Sequence, residues 1–278
     1  MDFVKEYWTD VFDPFIADVA AGRTSNPDIQ CNRMIKFGAF FRRCRAEISA
    51  DALVAFAADP VKDQTYFLSQ VQQDVLQHTL FPIGHLLKRD VKRIARERGF
   101  IDAAERRESM GICFVGPRPF GEFVGEYVAT APGDFVDEAG NVVGRHRGLA
   151  TLTIGQRAAI AGRATRLFVA SKDPLTGRAL VVPGRDHALL RCRAVRAGSW
   201  NWIAVTEPAE MSRGGRLAVL AKIRAQMAPV AATVMRADGD SDVVVAFDAP
   251  QSSVPVGQDV VLYQDSVCLG GGRIVATE

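Results

Sequence analysis

The sequence predicts an α/β plus β architecture: a helical first unit followed by small β barrels. Two patterns carry this. Apolar positions recur at helical spacing up to about residue 100, and after about residue 125 they alternate with period two between glycine turns. A third observation bounds the class. No apolar run approaches the roughly 20 residues of a membrane-spanning helix, so no membrane association is expected.

The first helix is expected over 3–21, where Phe3, Tyr7, Trp8, Val11, Phe12, Phe15, Ile16 and Val19 share one face. Pro14 marks a kink or break in it, and Gly22 stops it before a polar loop. No strand precedes this helix, which is odd for an α/β unit, so its apolar face (Phe3, Trp8, Phe12, Phe15) is expected to be poorly covered. Further helices are expected over 35–45, 62–80 and 84–99, the last ringed by Lys88, Arg89, Lys92, Arg93, Arg96 and Arg98. Strands are expected at 134–137, 179–182, 217–220, 243–247 and 260–263. Three domains follow: 1–125, 126–191 and 192–278.

At 278 residues with 48% hydrophobic and 24% charged, the composition is that of an ordered globular chain with a sizeable core. A net charge of +2 means that any nucleic-acid binding must rest on local clustering. Charged residues interrupt the N-terminal apolar positions, which argues against a signal peptide and for a soluble intracellular protein. The five cysteines show no C-x-x-C pair, so neither a disulfide framework nor a metal site is indicated.

Two cysteines stand in distinctive settings. Cys31 follows Asn26-Pro27-Asp28-Ile29-Gln30, which places its sulfur near a helix N-terminus where an anion is favoured. Asp28 could serve as an acid or base beside it. Cys113 lies in Gly111-Ile112-Cys113-Phe114, a loop through which a bulky partner could approach closely. For Cys44, Cys192 and Cys268 simple burial is the expectation.

Read in order, Gly22-Arg23-Thr24, Asn26-Pro27-Asp28, Lys62-Asp63-Gln64, Phe81-Pro82-Ile83-Gly84, Gly111-Ile112-Cys113-Phe114, Thr153-Ile154-Gly155-Gln156-Arg157 and Leu269-Gly270-Gly271-Gly272 resemble the tRNA-specific 2-thiouridylases. The resemblance runs over nearly the whole chain. It implies an incomplete Rossmann-like ATP-pyrophosphatase-type domain, a β-rich central domain and a C-terminal β barrel. It also implies an enzyme that transfers sulfur to C2 of the wobble uridine of tRNA. A persulfide-carrying donor protein would load Cys113, ATP with Mg would activate the uridine, and Cys31 would assist release, with a Cys31–Cys113 disulfide as one outcome. Asp28 would be the acid/base residue. Asn26, Pro27 and Asp28 would face the target base, and Lys62, Asp63, Gln64, Arg224, Ala225 and Gln258 would contact tRNA. Ala225 departs from the family's usual tyrosine. The basic helix over 88–98 and Arg106-Arg107 are further candidates for the RNA stem.

Two pieces of the family pattern are missing: the Ser-Gly-Gly-x-Asp-Ser loop that holds the ATP phosphates, and a strand, Thr-Gly-His-Tyr loop and hairpin between Ala46 and Lys62. Gly116 and Gly121 are spaced like a Walker loop, but Glu122 stands where lysine is required. The expectation is therefore an N-terminally incomplete chain that is aggregation-prone alone. The alternative is an ATP-independent tRNA-binding or sulfur-relay module. The compartment would be the cytoplasm in a bacterium, or a mitochondrion or other organelle in a eukaryote.

Overall fold

A computed structural model describes residues 3–40, 56–106, 108, 115, 118–212, 214–237 and 242–278. Helix α1 (Val4–Tyr7) runs into a π-helical stretch (Trp8–Phe12) and then α2 (Asp13–Ala20). The widened turn has a cause. Pro14 cannot donate to the carbonyl four residues back, and a π-turn lets the helix continue past it. Helix α3 (Pro27–Gln30) passes in the same way into a π-helical stretch (Cys31–Phe40).

The single helix expected over 62–80 is instead two one-turn helices, α4 (Thr65–Leu68) and α5 (Gln73–Leu76). Tertiary bonds win over helical propensity in the turn between them. Gln70 Nε2 donates to the Gly271 carbonyl at 2.8 Å, and Asn201 Nδ2 donates to the Ser69 carbonyl at 2.9 Å. Helices α6 (Lys88–Glu97), α7 (Ile101–Glu105) and α8 (Phe120–Gly125) follow. Among the described residues no strand precedes Gly133, and no helix is long and apolar enough to cross a membrane.

The expectation of a poorly covered first helix is corrected for two of its four residues. Phe12 and Phe15 are buried against Val115, Phe123 and Val124, with Phe12 edge-on to Tyr127 at 4.9 Å between ring centres. The segment around α8 supplies the cover that a sheet would otherwise give. Trp8 remains 44% exposed, and Phe3 is half-buried.

The central sheet contains β1 (Gly133–Val136), β2 (Val142–His146), β3 (Leu167–Asp173) and β4 (Arg178–Pro183), in the order β2-β1-β4-β3. Its β1–β4 pair is parallel and the others are antiparallel. The last unit is a closed six-stranded barrel of β5 (Arg191–Trp202), β6 (Arg216–Lys222), β7 (Val230–Arg236), β8 (Val243–Ser252), β9 (Asp259–Gln264) and β10 (Val267–Thr277). Strands β5 and β10 close it, with Ile274 opposite Ala197.

Strand β9 is buried on both faces. Val260 and Leu262 point into the barrel core, whereas Val261 and Tyr263 join a second core outside it with Ile29, Tyr66, Leu68 and Leu76. This second core seats the helical unit on the barrel, and it carries the site.

Candidate active site

Asn26 opens α3 as its N-cap: its side-chain oxygen accepts the Asp28 backbone N–H at 3.1 Å. Pro27, next in line, needs no partner for a missing N–H and is buried. Cys31 therefore lies a full turn beyond the helix start. This corrects the expectation that its sulfur sits at a helix N-terminus, because the favourable partial charge fades within the first turn. Cys31 is half-buried. Burial pushes the Asp28 carboxyl above its ordinary value, and the Lys36 ammonium offsets part of that rise.

The helix bearing Cys31 is tied to the segment after Lys62-Asp63-Gln64. Asn32 Nδ2 donates to the Phe67 carbonyl at 3.1 Å, and Ile29 packs with Tyr66. Within that segment the three candidates part company. Gln64 is exposed. Lys62 is half-exposed and ion-paired with Glu108, which also meets Lys92 at 2.9 Å. Asp63 is buried; it accepts from the Ala57 N–H at 3.1 Å and the Thr65 hydroxyl at 2.7 Å, and it faces Lys222 of the barrel at 3.6 Å. Its carboxylate holds the loop to the barrel and offers nothing to the surface. Lys62 and Gln64 border a cavity of about 870 Å³ that Phe56, Phe81, Ile83 and Lys88 also line.

Barrel residues reach the same place. Ala225 packs beside the core of Ile29 and Tyr66. Arg224 is exposed, its Nη2 donating to the carbonyls of Ser252 at 2.7 Å and Ser253 at 2.6 Å. Gln258 Nε2 donates to the Thr24 carbonyl at 3.3 Å, two residues before Asn26.

The loop 22–26 is locked from the other side by a cluster that sequence reasoning missed. Asp18 is buried and accepts from Arg23 Nε at 2.9 Å and from Arg273 of β10, which also donates to Ser25 Oγ at 2.7 Å. A lone Asp on a helix and a lone Arg in a distant strand carry no pairing signal in sequence. The backbone completes the lock: the Thr24 N–H donates to the Val256 carbonyl at 3.0 Å. Gly257 there has φ +97, and a Cβ on it would meet the Thr24 carbonyl at 2.8 Å. Gly257→Ala is accordingly expected to cost about 1–3 kcal/mol, read as a lowered urea midpoint with unchanged slope.

Cys113, with Gly111, Ile112 and Phe114, lies outside the described residues, as do Cys44, Arg107 and the segment between Ala46 and Phe56. The residues bracketing the Cys113 segment are fixed, Glu108 by Lys62 and Lys92, and Val115 in the core beneath α2. The two lysines hold the Glu108 carboxyl down at about 2. Of the described thiols, two are held protonated near neutral pH. Burial pushes Cys192 up to about 11 and Cys268 up to about 12.

Helix α2 is preceded by a helix and not by a strand and glycine loop, and no glycine-rich turn opens α3 or α6. The described residues do not fit the phosphates of ATP.

Three family models match the chain: a "tRNA methyl transferase HUP domain" over residues 1–117, a "tRNA methyl transferase PRC-barrel domain" over 121–183 and an "Aminomethyltransferase beta-barrel domain" over 192–274. The chain is similar to the mitochondrial tRNA-specific 2-thiouridylase 1 of Danio rerio, with 36% identity covering 99% of this chain and 76% of the relative. It is 39% identical to the tRNA-specific 2-thiouridylase MnmA of Alcanivorax borkumensis over 99% of this chain and 79% of that protein. With MnmA 2 of Geobacillus kaustophilus the identity is 41% over 99% and 76%. These alignments run to 293–315 positions, longer than the chain, so the relatives carry internal residues that this chain lacks. Identity of this extent, together with the match of the first 117 residues to the HUP-domain model, the central-domain match and the closed C-terminal barrel, shows that the chain belongs to the tRNA-specific 2-thiouridylase family.

Proposed function

We propose that this chain is a tRNA uridine 2-sulfurtransferase whose residues hold the RNA and carry the sulfur. The observation that supports this best is the gathering of Asn26–Cys31, Lys62–Gln64, Arg224 and Gln258 around α4 and β9, although 234 residues separate Gln258 from Thr24. In this reading Cys113 bears a persulfide from a donor protein, and its outer sulfur bonds to C2 of the wobble uridine as the C2 oxygen leaves with the AMP that ATP would supply. The thiolate of Cys31 then attacks the Cys113 sulfur and breaks its bond to the transferred sulfur, which releases the 2-thiouridine and leaves a Cys31–Cys113 disulfide that a thiol reductant reopens. Asp28, half-buried with a raised carboxyl, is the proton-transfer residue beside Cys31. Asn26 and Pro27 fix the start of α3 against the target base. Lys62, Gln64, Arg224, Ala225 and Gln258 line the RNA side, and Asp63 positions the Lys62 loop from beneath.

The family descriptions speak of methyl transfer, but a cysteine pair in these settings suits sulfur better, since methyl donation needs no thiol relay. The resemblance implies ATP with Mg as co-substrate; the described residues supply no cradle for it, and its chemistry is assigned to none of them. The second reading is a tRNA-binding or sulfur-relay module.

One assay separates the two. An unmodified tRNA transcript is incubated with the protein, ATP, Mg and a persulfide donor, and its nucleosides are analysed by mass spectrometry. Formation of 2-thiouridine that falls at least 100-fold in both Cys31→Ser and Cys113→Ser supports the sulfurtransferase, on the scale of removing a covalent catalyst. Full activity in Cys113→Ser overturns the assignment of the persulfide. Tight RNA binding without any thiolation by the wild-type protein favours the relay module.

A further inference from the structure

The sequence offers the basic helix α6 as one candidate for the RNA stem, and four of its cations lie near acids, while Lys88 and Arg98 have no carboxylate within ion-pair distance among the described residues. Arg93 pairs with Glu97 at 2.8 Å, Arg96 with Glu105 at 2.7 Å and Lys92 with Glu108 at 2.9 Å, and Arg89 lies 4.0 Å from Asp90. Charges already paired with acids on their own surface release few counterions from a phosphate backbone.

A larger group of uncompensated cations lies on the central sheet and barrel. Arg157 bridges to Phe168 of β3, and the Arg185 guanidinium sits over the same Phe168 ring, 5.4 Å from its centre. Directly paired antiparallel residues share a face, so Arg157 and Arg185 flank one side of the sheet. Arg166 is a hydrogen bond away, its carbonyl accepting the Gly184 N–H at 3.2 Å. The surface then crosses to the barrel. Ser252 Oγ donates to the Arg185 carbonyl at 3.3 Å, and Arg224 grips the carbonyls of Ser252 and Ser253. Gly155 lies against Ser253 so closely that a Cβ on it would come within 2.3 Å of the serine side chain. All four arginines are exposed, and among the described residues none has a carboxylate within ion-pair distance. The nearest acid in sequence, Asp186, is occupied by Arg191 at 3.3 Å. Residues 254–256, which follow Ser253, border the same cavity as Gly22 and Thr24, so the strip ends beside the loop that leads to Asn26, Asp28 and Cys31.

We propose that Arg157, Arg166, Arg185 and Arg224 form a strip across the junction of central sheet and barrel that binds the phosphate backbone of the RNA substrate. This rests on the reading of the chain as a tRNA-modifying protein. Guanidinium forks suit phosphate oxygens, and Phe168 beneath Arg185 and the carbonyls beneath Arg224 hold two of them in place before RNA arrives.

The test is the salt dependence of binding to an unmodified tRNA transcript, between 50 and 200 mM salt. For R157Q/R166Q/R185Q the slope of log K against log salt should become shallower by about 2–3, near 0.7–0.9 per lost phosphate contact. R157K/R166K/R185K should keep most of the wild-type slope, which separates charge from folding, and all variants should share the wild-type unfolding midpoint. R93Q/R96Q should leave the slope unchanged. A triple glutamine variant with the wild-type slope, or a loss carried by R93Q/R96Q, overturns the strip while leaving the tRNA reading intact. Failure of the wild-type protein to bind the transcript overturns both.

Discussion

Lys222→Met should destabilise the protein by about 3–5 kcal/mol, the scale for leaving one partner of a buried ion pair alone. Lys222 leaves β6 on the outer face of the barrel, where its side chain is 4% exposed and that of Asp63 is 2% exposed. The ammonium lies 5.5 Å from the centre of the Phe56 ring and 5.8 Å from that of Tyr263, so it is wrapped by aromatic faces as well as paired. Methionine would fill the same volume but leave a carboxylate in that apolar setting. The Ala57 N–H, the Thr65 N–H at 3.4 Å and the Thr65 hydroxyl would still donate to it, which tempers the loss without replacing a positive charge. D63N/K222M should recover most of the stability, because removing both charges also removes the desolvation that the pair had to overcome. Urea unfolding of the two single variants and the double gives the coupling directly. A Lys222→Met variant within 1 kcal/mol of wild type would mean that the hydrogen bonds alone balance Asp63. The effect also bears on RNA binding, since Asp63 anchors the loop that presents Lys62 and Gln64.

Asp63 illustrates how far the sequence could be read. Its neighbourhood was legible, because Lys62-Asp63-Gln64 and Asn26-Pro27-Asp28 are contiguous strings whose order identifies the family. Its orientation was not, because burial depends on Lys222, 159 positions away. The same distinction runs through the fold. Strand β8 alternates between buried and half-buried positions over 243–247, the period two expected of it, whereas β4 buries the adjacent Val181 and Val182 in two different cores. Strand β9 is apolar on both faces, a strand by length and composition, but nothing local says that its second face meets Tyr66. The helix expected over 62–80 failed for a related reason. Ser69 and Gln70 are committed to Asn201 and Gly271 of the barrel, and a local pattern contains no trace of such partners. The lock of Asp18, Arg23 and Arg273 was likewise invisible, since each residue alone reads as surface charge.

Asp259→Asn should stabilise the protein at pH 8 and leave it unchanged at pH 4. Asp259 begins β9 and is 7% exposed, on the outer face that Val261 and Tyr263 also occupy. Tyr66 donates its hydroxyl to the Asp259 backbone carbonyl at 2.8 Å, which leaves the carboxyl without that bond. Arg273 stands directly opposite on β10, but its guanidinium is taken by Asp18 and Ser25. Burial without a compensating cation pushes the Asp259 carboxyl up to about 7. A carboxyl raised in the folded state favours the protonated form there. Its contribution to stability is fully present below about pH 4 and is lost as pH climbs through about 7. A rise of this size corresponds to about 4 kcal/mol between those limits, at 1.36 kcal/mol per unit. Because other groups titrate as well, the informative quantity is the difference in unfolding free energy between Asp259→Asn and wild type. That difference should grow from near zero at pH 4 to about 3–4 kcal/mol at pH 8. A difference that stays flat over this range would show that the carboxylate is solvated or paired in solution. The location gives the penalty its interest. Asp259 follows Gln258, which holds Thr24, so ionisation weakens the seam between barrel and helical unit next to the residues proposed to receive the target base.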